Sequence, residues 1–423
     1  KDAVRIEEFI NYFDYDYPQP RDEHPFSIST EFGSCPWNTS HKLLHIGLQG
    51  KSIPVDELAP SNLVFLIDVS GSMDSPNKLG LLKKAYKLLV ENLEQSDRIS
   101  IVVYASASGT VLPSTSCDNK DEIIAALDKL EAGGSTSGGE GLLLAYKIAK
   151  ENFIENGNNR IILATDGDFN VGPSSDAEMT RLVEEHRDMG IFITVLGFGM
   201  GNYKDSKMEK IADYGNGNYF YIDNMMEAKK VLVTELDGTL HAIAKDVKIQ
   251  IEFNPAVVKS YRLIGYENRK LKNEDFNDDT KDAGELGASH TVTALYEITP
   301  VGTADDPAGS VDDLKYQENV VNESAANSGE MCTIKLRYKR PEENQSRLLK
   351  KVVKNQPAKS TSDNYRFSAA VASFGMLLRD SKYKGNADFK SVVELAKGSK
   401  GTDREGYRAE FIRMVETASL LKE

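Results

Sequence analysis

Hydrophobic residues between about positions 62 and 244 form two alternating patterns. Short runs rich in β-branched residues are apolar at nearly every position, which is typical of strands covered on both faces, as in parallel sheets. These runs lie at Asn62–Ile67, Arg98–Tyr104, Arg160–Thr165, Ile191–Gly197 and Asn218–Ile222. Between them, apolar residues recur at helical spacing over Lys78–Leu93, Asp121–Leu130, Leu142–Phe153 and Ala177–His186. The alternation predicts an α/β unit in which crossover helices join the strands of a doubly wound, mostly parallel sheet.

The two flanks of this region show a different pattern, in which apolar and polar residues alternate. Such alternation is typical of antiparallel strands with one face on a core and one face in solvent. It occurs at Phe26–Glu31, Lys42–Leu48, Val247–Phe253, Thr291–Ile298 and Thr333–Tyr338. Two polar stretches, Asn273–Ser289 and Thr303–Glu330, are predicted to be surface loops. We therefore expect one antiparallel β-sandwich assembled from both flanks, with the α/β unit inserted between them.

The end of the chain is predicted to be helical. After a polar linker near positions 355–363, apolar residues recur at helical spacing from Phe367 to Leu378, and again over 392–395 and 411–420. The expected organisation has four regions: 1–60, which contributes sandwich strands; 61–244, the α/β domain; 245–354, the rest of the sandwich; and 355–423, the C-terminal helical region.

Composition mainly excludes classes of function. The 423 residues, 40% hydrophobic and 27% charged, have ordinary globular usage and suffice for two or three domains. The formal net charge of −14 argues against nucleic-acid binding, which needs clustered Lys and Arg, and favours a cation as ligand. No stretch approaches the roughly 18 consecutive apolar residues of a transmembrane helix. The spacing of Cys35, Cys117 and Cys332 excludes a CxxC zinc site and a dense disulfide framework, and it leaves open one disulfide or three free thiols.

Oxygen-bearing side chains gather at the predicted carboxyl edge of the sheet, where open α/β folds bind ligands. Asp68, Ser70 and Ser72 follow the first strand, Asp166 follows a later strand, and Thr136 lies in a Gly-rich stretch ahead of a helix. Hard oxygen donors without His or Cys suit Mg²⁺ or Ca²⁺ rather than zinc or copper. Mg²⁺ is favoured because it keeps water readily where protein ligands are few, and Mn²⁺ or Ca²⁺ remain alternatives.

These residues, Asp68, Ser70, Ser72, Thr136 and Asp166, match the five-position metal-ion-dependent adhesion site of von Willebrand factor type A domains, which the chain resembles. The resemblance implies a Rossmann-like type A sheet and direct metal bonds from the hydroxyls of Ser70 and Ser72. It implies direct or water-mediated bonds from the other three side chains. Neutral hydroxyls quench little of the ion's charge, so we expect the ion to take a sixth ligand, an exposed Asp or Glu carboxylate of a protein partner.

Two further carboxylates, Asp74 and Asp168, lie beside this set in the sequence. They are candidates for orienting the metal ligands through hydrogen bonds, and solvated or helix-capping roles are the equally weighted alternative. The segment Val4–Phe13, the run Leu163–Asn170 and the C-terminal helical block together resemble bacterial proteins of the YfbK type. That wider resemblance covers nearly all of the chain and implies an extracytoplasmic location, in the periplasm or at the cell surface, with a lipid anchor upstream of Lys1 as an option.

Three functions are compatible with these residues. The leading prediction is a non-enzymatic, Mg²⁺-dependent protein-binding module for adhesion or scaffolding at the bacterial envelope. A metal-dependent hydrolase is the alternative, but the sequence has no P-loop, no second carboxylate cluster and no base placed in sequence beside Ser70. The third is a chaperone-like subunit that docks on an ATPase, a role which some type A domains share.

Overall fold

The computed structural model describes residues 4–54, 57–135, 138–167, 169, 176–199, 205–266, 273–279, 281, 283–304 and 321–422. Two of the predicted site residues, Thr136 and Asp168, lie outside the described residues. The strands are β1 Phe26–Ser34, β2 Lys42–Gly50, β3 Ser61–Asp68, β4 Arg98–Tyr104, β5 Ser108–Ser116, β6 Asn158–Thr165, β7 Ile191–Phe198, β8 Tyr219–Ile222, β9 Ala242–Phe253, β10 Val258–Leu263, β11 Gly284–Gly287, β12 Thr291–Pro300, β13 Glu330–Lys339 and β14 Arg347–Lys354.

The helices are α1 Ile6–Asn11, α2 Leu79–Asn92, α3 Lys120–Asp128, α4 Gly138–Glu151, α5 Asp176–Asp188, α6 Asp205–Tyr214, α7 Met225–Lys229, α8 Leu236–Leu240, α9 Glu323–Asn327, α10 Asp363–Arg379, α11 Phe389–Lys397 and α12 Tyr407–Lys422. The chain forms two compact units. Residues 53–242 make the α/β unit, and residues 1–52 with 243–423 make the flanking unit. No helix in the described ranges is long and apolar enough to cross a membrane.

The α/β unit is built on a six-stranded sheet with the order β5-β4-β3-β6-β7-β8. Strands β4, β3, β6, β7 and β8 run parallel, and β5 pairs antiparallel with β4 at the edge. The five parallel strands are the five apolar runs of the sequence. The edge strand β5 and helix α6 were not predicted. The doubly wound, mostly parallel sheet is confirmed.

Both faces of this sheet are covered, because alternate residues of each central strand point to opposite sides. In β3, Leu63, Phe65 and Ile67 belong to the hydrophobic core under α2, α3 and α7. The intervening Val64 and Leu66 belong to the core under α4, α5 and α6. All five side chains are fully buried. The strand is therefore apolar from Leu63 to Ile67 without interruption, and it is buried up to its last residue, Asp68.

The flanking unit contains two antiparallel four-stranded sheets, with the orders β1-β2-β12-β10 and β11-β9-β13-β14. The first sheet contains strands from both flanks of the α/β unit, since β2 pairs with β12 and Leu44 lies opposite Tyr296. Antiparallel sheets built from both flanks agree with the prediction. Three strands were not predicted, β10, β11 and β14, and β11 lies inside the stretch Asn273–Ser289 that was predicted to be a loop.

Helices α1, α10, α11 and α12 contribute to one hydrophobic core of the flanking unit. Its aromatic side chains pack edge to face, as Phe13 does against Phe367 with ring centroids 5.0 Å apart. The predicted C-terminal helices therefore belong to the same compact unit as the antiparallel sheets. Cys35, Cys117 and Cys332 are buried free thiols.

Candidate functional site

Two carboxylates leave neighbouring parallel strands at the same edge of the sheet. Asp68 is the last residue of β3, and Asp166 directly follows Thr165 at the end of β6. The strands are in register, with Ile67 opposite Ala164, and the Thr165 hydroxyl donates a 3.2 Å hydrogen bond to Oδ2 of Asp68. Crossovers leave β3 and β6 toward opposite sides of the sheet, so this edge is the topological switch point at which such folds bind ligands.

The residues after β3 turn sharply and bring two hydroxyls together. The backbone N–H of Ser70 donates to Oδ1 of Asp68 at 2.9 Å, and Gly71–Met73 form a single 3₁₀ turn. The turn places the Ser70 and Ser72 hydroxyl oxygens 3.0 Å apart, where they share a hydrogen bond. Ser70 is buried, whereas Ser72 is exposed. The pair therefore connects the buried carboxylate Asp68 with solvent.

The resemblance implies a divalent cation at this place, and the spacing of the two hydroxyls bears on which ion they could hold. Adjacent ligands of an octahedral Mg²⁺ ion, at about 2.0–2.1 Å from the metal, lie about 2.9 Å from each other. The corresponding separation for octahedral Ca²⁺, with ligands at about 2.3–2.6 Å, is about 3.3–3.7 Å. The observed 3.0 Å between the Ser70 and Ser72 oxygens is the length of their hydrogen bond, and it is also compatible with one edge of the Mg²⁺ octahedron. Hydroxyl and carboxylate oxygens are also the donor types that Mg²⁺ prefers.

The Gly-rich loop that leads to Thr136 is hydrogen-bonded around the Ser70 turn. Gly133 N–H donates to the Val69 carbonyl at 2.8 Å, and Gly71 N–H donates to the Gly134 carbonyl at 3.0 Å. Gly134 has φ +80, and a Cβ there would lie 2.5 Å from the Ser106 hydroxyl, so only glycine fits. The described segment ends at residue 135, one position before Thr136. The loop is thus held against the Asp68–Ser72 turn up to that position.

The surroundings of Asp68 disfavour the ionised form of its carboxyl group. Burial raises the pKa of Asp68 above its ordinary value, and the charge of Asp166 raises it further. Hydrogen bonds from the side chain and backbone of Ser70 act in the opposite direction. Burial and the charge of Asp68 also raise the pKa of the neighbouring Tyr104 hydroxyl. A cation bound between the two carboxylates would relieve this cost, because it favours their ionised forms.

Lys78 is a site residue that the sequence analysis did not identify. Its Nζ atom donates to Oδ2 of Asp166 at 2.8 Å and to the backbone carbonyl of Ser72 at 2.9 Å. Lys78 immediately precedes α2, where a lysine is ordinarily a solvated residue. No spacing rule connects it with Asp166, so the sequence alone carries no signal for the contact. Thr165 was also missed as a partner of Asp68, although its place at a strand end beside Asp166 was a usable clue.

Asp74 is exposed, and its backbone N–H donates to the Gly71 carbonyl. In the described part of the chain, no hydrogen bond joins its carboxylate to Ser70, Ser72 or Asp166. Its role as an orienting carboxylate stays a prediction. Among the described residues no group of three or more His, Cys, Asp or Glu side chains is placed to hold a metal. The set at this edge combines two carboxylates with two hydroxyls.

Comparison with known protein families divides the chain in the same way. The family described as "von Willebrand factor type A domain" matches residues 62–234. The family described as "Uncharacterized protein YfbK, C-terminal" matches residues 238–421, and one described as "von Willebrand factor" matches residues 1–45. The type A match contains all of the predicted site residues. Type A domains mediate protein–protein interactions, and they are generally not catalytic.

One curated relative extends this comparison over nearly the whole chain. "Uncharacterized protein YfbK" of Escherichia coli (strain K12) is 44% identical over 424 residues, which cover 99% of this chain and 73% of that protein. "Inter-alpha-trypsin inhibitor heavy chain H3" of Homo sapiens is 24% identical over 57% of this chain and 29% of its own length. The solved structure of "von Willebrand factor type A from Catenulispora acidiphila" covers 95% of this chain and 91% of its own, with 15% identity and a TM-score of 0.49.

Proposed function

The chain belongs to the YfbK family of proteins with a von Willebrand factor type A domain, and on this basis we propose that it is a Mg²⁺-dependent protein-binding module. The proposed ligands on the protein are the hydroxyls of Ser70 and Ser72 and the carboxylates of Asp68 and Asp166. Thr136 completes the proposed set, and it is included on the sequence match alone. Mn²⁺ and Ca²⁺ are the alternatives, and Mg²⁺ is preferred because it readily keeps water where protein ligands are few.

The observation that supports this proposal most is the paired orientation of Ser70 and Ser72. The two oxygens lie 3.0 Å apart, one buried beside Asp68 and the other exposed to solvent. A cation bound by this pair would have the protein on one side and water on the other. It would therefore have room for a ligand from outside, and Mg²⁺ ordinarily keeps several waters that such a ligand can displace.

A carboxylate is the partner group that suits this arrangement best. Ser70 and Ser72 contribute no charge, so a Mg²⁺ ion held partly by hydroxyls keeps more of its positive charge than one held by carboxylates alone. An Asp or Glu side chain supplies a hard, anionic oxygen and can bind in place of water. We therefore propose adhesion or scaffolding, in which an exposed acidic residue of a partner protein binds the metal.

The proposed place of this interaction is the bacterial envelope, in the periplasm or at the cell surface. The support is the resemblance of Val4–Phe13, Leu163–Asn170 and the C-terminal helical block to bacterial proteins of the YfbK type. A lipid anchor upstream of Lys1 would be consistent with this location. Cell fractionation of the full-length protein decides the point: the proposal expects it in the periplasmic or membrane fractions, and recovery in the cytosol alone contradicts it.

The binding function is tested by partner capture with and without metal. Immobilised protein is incubated with envelope extract in Mg²⁺ or in EDTA, and bound proteins are identified by mass spectrometry. Ser70→Ala removes one proposed metal ligand, and Ser75→Ala is the matched control because Ser75 lies in the same segment outside the predicted set. We expect partners that are lost in EDTA and lost with Ser70→Ala, but retained with Ser75→Ala. Capture that is indifferent to chelator and to Ser70→Ala contradicts the proposal.

A further inference from the structure

Lys78 places an ammonium group inside the proposed metal site. The residue lies just before α2, and its Nζ atom reaches Oδ2 of Asp166 at 2.8 Å and the Ser72 carbonyl at 2.9 Å. The lysine side chain is four-fifths buried, and that of Asp166 is almost completely buried, with relative exposures of 20% and 5%. The pair is therefore poorly screened by solvent, and its interaction is stronger than that of an ordinary surface ion pair.

The stem of Lys78 is held in position by the backbone at the end of β7. Gly199 has φ +86, and a Cβ at this position would lie 2.4 Å from Cε of Lys78. The lysine thus occupies space that exists only because residue 199 has no side chain. Two hydrogen bonds at its tip and this packing along its stem fix the ammonium group beside Asp166.

A bound cation and the lysine make competing demands on the same carboxylate. Oδ2 of Asp166 accepts a charge-assisted hydrogen bond from Lys78, whereas a divalent ion would draw on the same side chain, directly or through water. The ammonium also carries the same sign of charge as the ion, so the two repel each other at short range. The ammonium group of Lys78 therefore offsets part of the negative charge that would otherwise attract the ion.

We propose that Lys78 is a tethered cation that competes with the divalent metal for Asp166. It stabilises the metal-free site by partly neutralising the two carboxylates, and it weakens metal binding by the same interaction. This inference rests on the proposed function, since it concerns the metal affinity of that site. Lys78 acts here as a positioning residue, because it affects the metal through its hydrogen bond with Asp166.

The proposal is tested on the full chain with three variants. Lys78→Met removes the charge and keeps an unbranched stem against Gly199, and Lys78→Arg keeps a positive charge. Lys84→Met is the matched control, because Lys84 is an exposed lysine on the same helix, α2. Two quantities are measured for each protein: the Mg²⁺ dissociation constant by isothermal titration calorimetry at low salt, and the thermal unfolding midpoint in EDTA. Circular dichroism establishes that each variant is folded.

The expected result is a pair of opposite effects. Lys78→Met should bind Mg²⁺ about tenfold more tightly than the unaltered protein, because a like charge has been removed from the site, and should have a lower unfolding midpoint in EDTA. Lys78→Arg should stay closer to the unaltered protein than Lys78→Met in both measurements, and Lys84→Met should change neither. A lysine with a merely structural role would lower the midpoint without tightening metal binding.

The outcomes separate this inference from the proposed function. If the unaltered protein binds Mg²⁺ and Lys78→Met binds it equally or more weakly, the inference is overturned while the metal site stands. If only Lys78→Met binds Mg²⁺, the inference is supported and the lysine excludes the ion under those conditions. If no variant binds Mg²⁺, both the inference and the metal site of the proposed function are overturned.

Discussion

The hydroxyl of Thr165 donates a 3.2 Å hydrogen bond to Oδ2 of Asp68, across the boundary between β6 and β3. The other carboxylate oxygen, Oδ1, accepts the backbone N–H of Ser70 at 2.9 Å. Both oxygens of Asp68 are therefore anchored by neighbouring segments of the protein. A carboxylate held in this way is preorganised, so little side-chain freedom is lost when it binds or orients a ligand. Holding the carboxylate in this place also buries its charge, which lowers the stability of the folded protein when no cation is bound.

Replacing Asp68 with Asn should stabilise the metal-free protein. Burial and Asp166 raise the pKa of Asp68, so the charged form is disfavoured in the folded state, whereas a neutral amide can keep an acceptor toward the Ser70 N–H. We expect a higher free energy of unfolding in EDTA, measured by urea denaturation at neutral pH. Added Mg²⁺ should stabilise the unaltered protein and have no effect on Asp68→Asn. Destabilisation of the variant in EDTA would contradict this account of the charge.

Replacing Ser70 with Ala should weaken Mg²⁺ binding by more than about tenfold, which corresponds to about 1.4 kcal/mol. The variant removes the buried member of the hydroxyl pair, while Ser72 keeps its place on the exposed side. Isothermal titration calorimetry measures the change, with Ser75→Ala as the reference. Equal affinities of Ser70→Ala and Ser75→Ala would show that the Ser70 hydroxyl is not a metal ligand.

The flanking unit should lose stability in mild acid because of His45. Burial lowers the pKa of His45 to about 4, and a hydrogen bond with its own backbone opposes this only partly. In the unfolded chain a histidine has a pKa of about 6.5, so between these two values the unfolded state binds the proton that the folded state excludes. The free energy of unfolding should therefore fall as the pH is lowered through that window, by at most about 3 kcal/mol from this residue.

The measurement is urea unfolding of the full chain at several pH values between neutral and mildly acidic. The variant His45→Gln removes the titrating group and keeps a side chain that can hydrogen-bond to the Tyr17 hydroxyl, which lies 3.0 Å from Nε2 of His45. Its unfolding free energy should depend less steeply on pH than that of the unaltered protein. The same pH dependence in both proteins would mean that other groups cause the acid sensitivity.

A buried charge network around Glu297 should be important for folding of the flanking unit. Glu297 accepts a 2.6 Å hydrogen bond from Nδ1 of His41 and a 3.1 Å bond from Nε1 of Trp37, and it forms an ion pair with Arg262. Removing one partner of a buried ion pair leaves the other charge without compensation, which costs about 3–5 kcal/mol. Glu297→Gln should therefore lower the free energy of unfolding by about this amount, measured by chemical denaturation.

The control is Glu252→Gln, which removes a carboxylate from the exposed ion pair with Lys335. Exposed pairs contribute about 0–1 kcal/mol, so this variant should be close to the unaltered protein. A loss at Glu297 no greater than the loss at Glu252 would contradict a structural role for the network.

In the α/β unit the sequence predicted the five parallel strands. The parallel strands of the α/β unit are apolar on both faces, and their runs stand out without any structural information. Edge strand β5 could not be identified, because Val111 and Leu112 are its only aliphatic residues and it contains Pro113 among serines and threonines. Strand β14 was missed because Lys350, Lys351 and Lys354 interrupt its apolar residues.

The candidate site was predictable for a different reason: its residues lie at the ends of predictable strands. Asp68 and Asp166 follow β3 and β6, and the order of types in Asp68, Ser70 and Ser72 is specific. The contact between Lys78 and Asp166 was not predictable, since it joins residues 88 positions apart through a side chain whose direction only the fold determines. Local patterns thus locate backbone positions, whereas the partners of long side chains depend on tertiary packing.

The central claim is that one divalent cation binds the hydroxyls of Ser70 and Ser72 and has room for a ligand from outside. Crystallography with Mn²⁺ tests this claim most directly. Crystals grown with MnCl₂ and an acidic peptide give an anomalous signal that identifies the ion. We predict an anomalous peak bonded to the hydroxyl oxygens of Ser70 and Ser72, with water or a peptide carboxylate on its solvent side. Absence of the peak, or an ion whose coordination is completed entirely by the protein's own side chains, would contradict the claim.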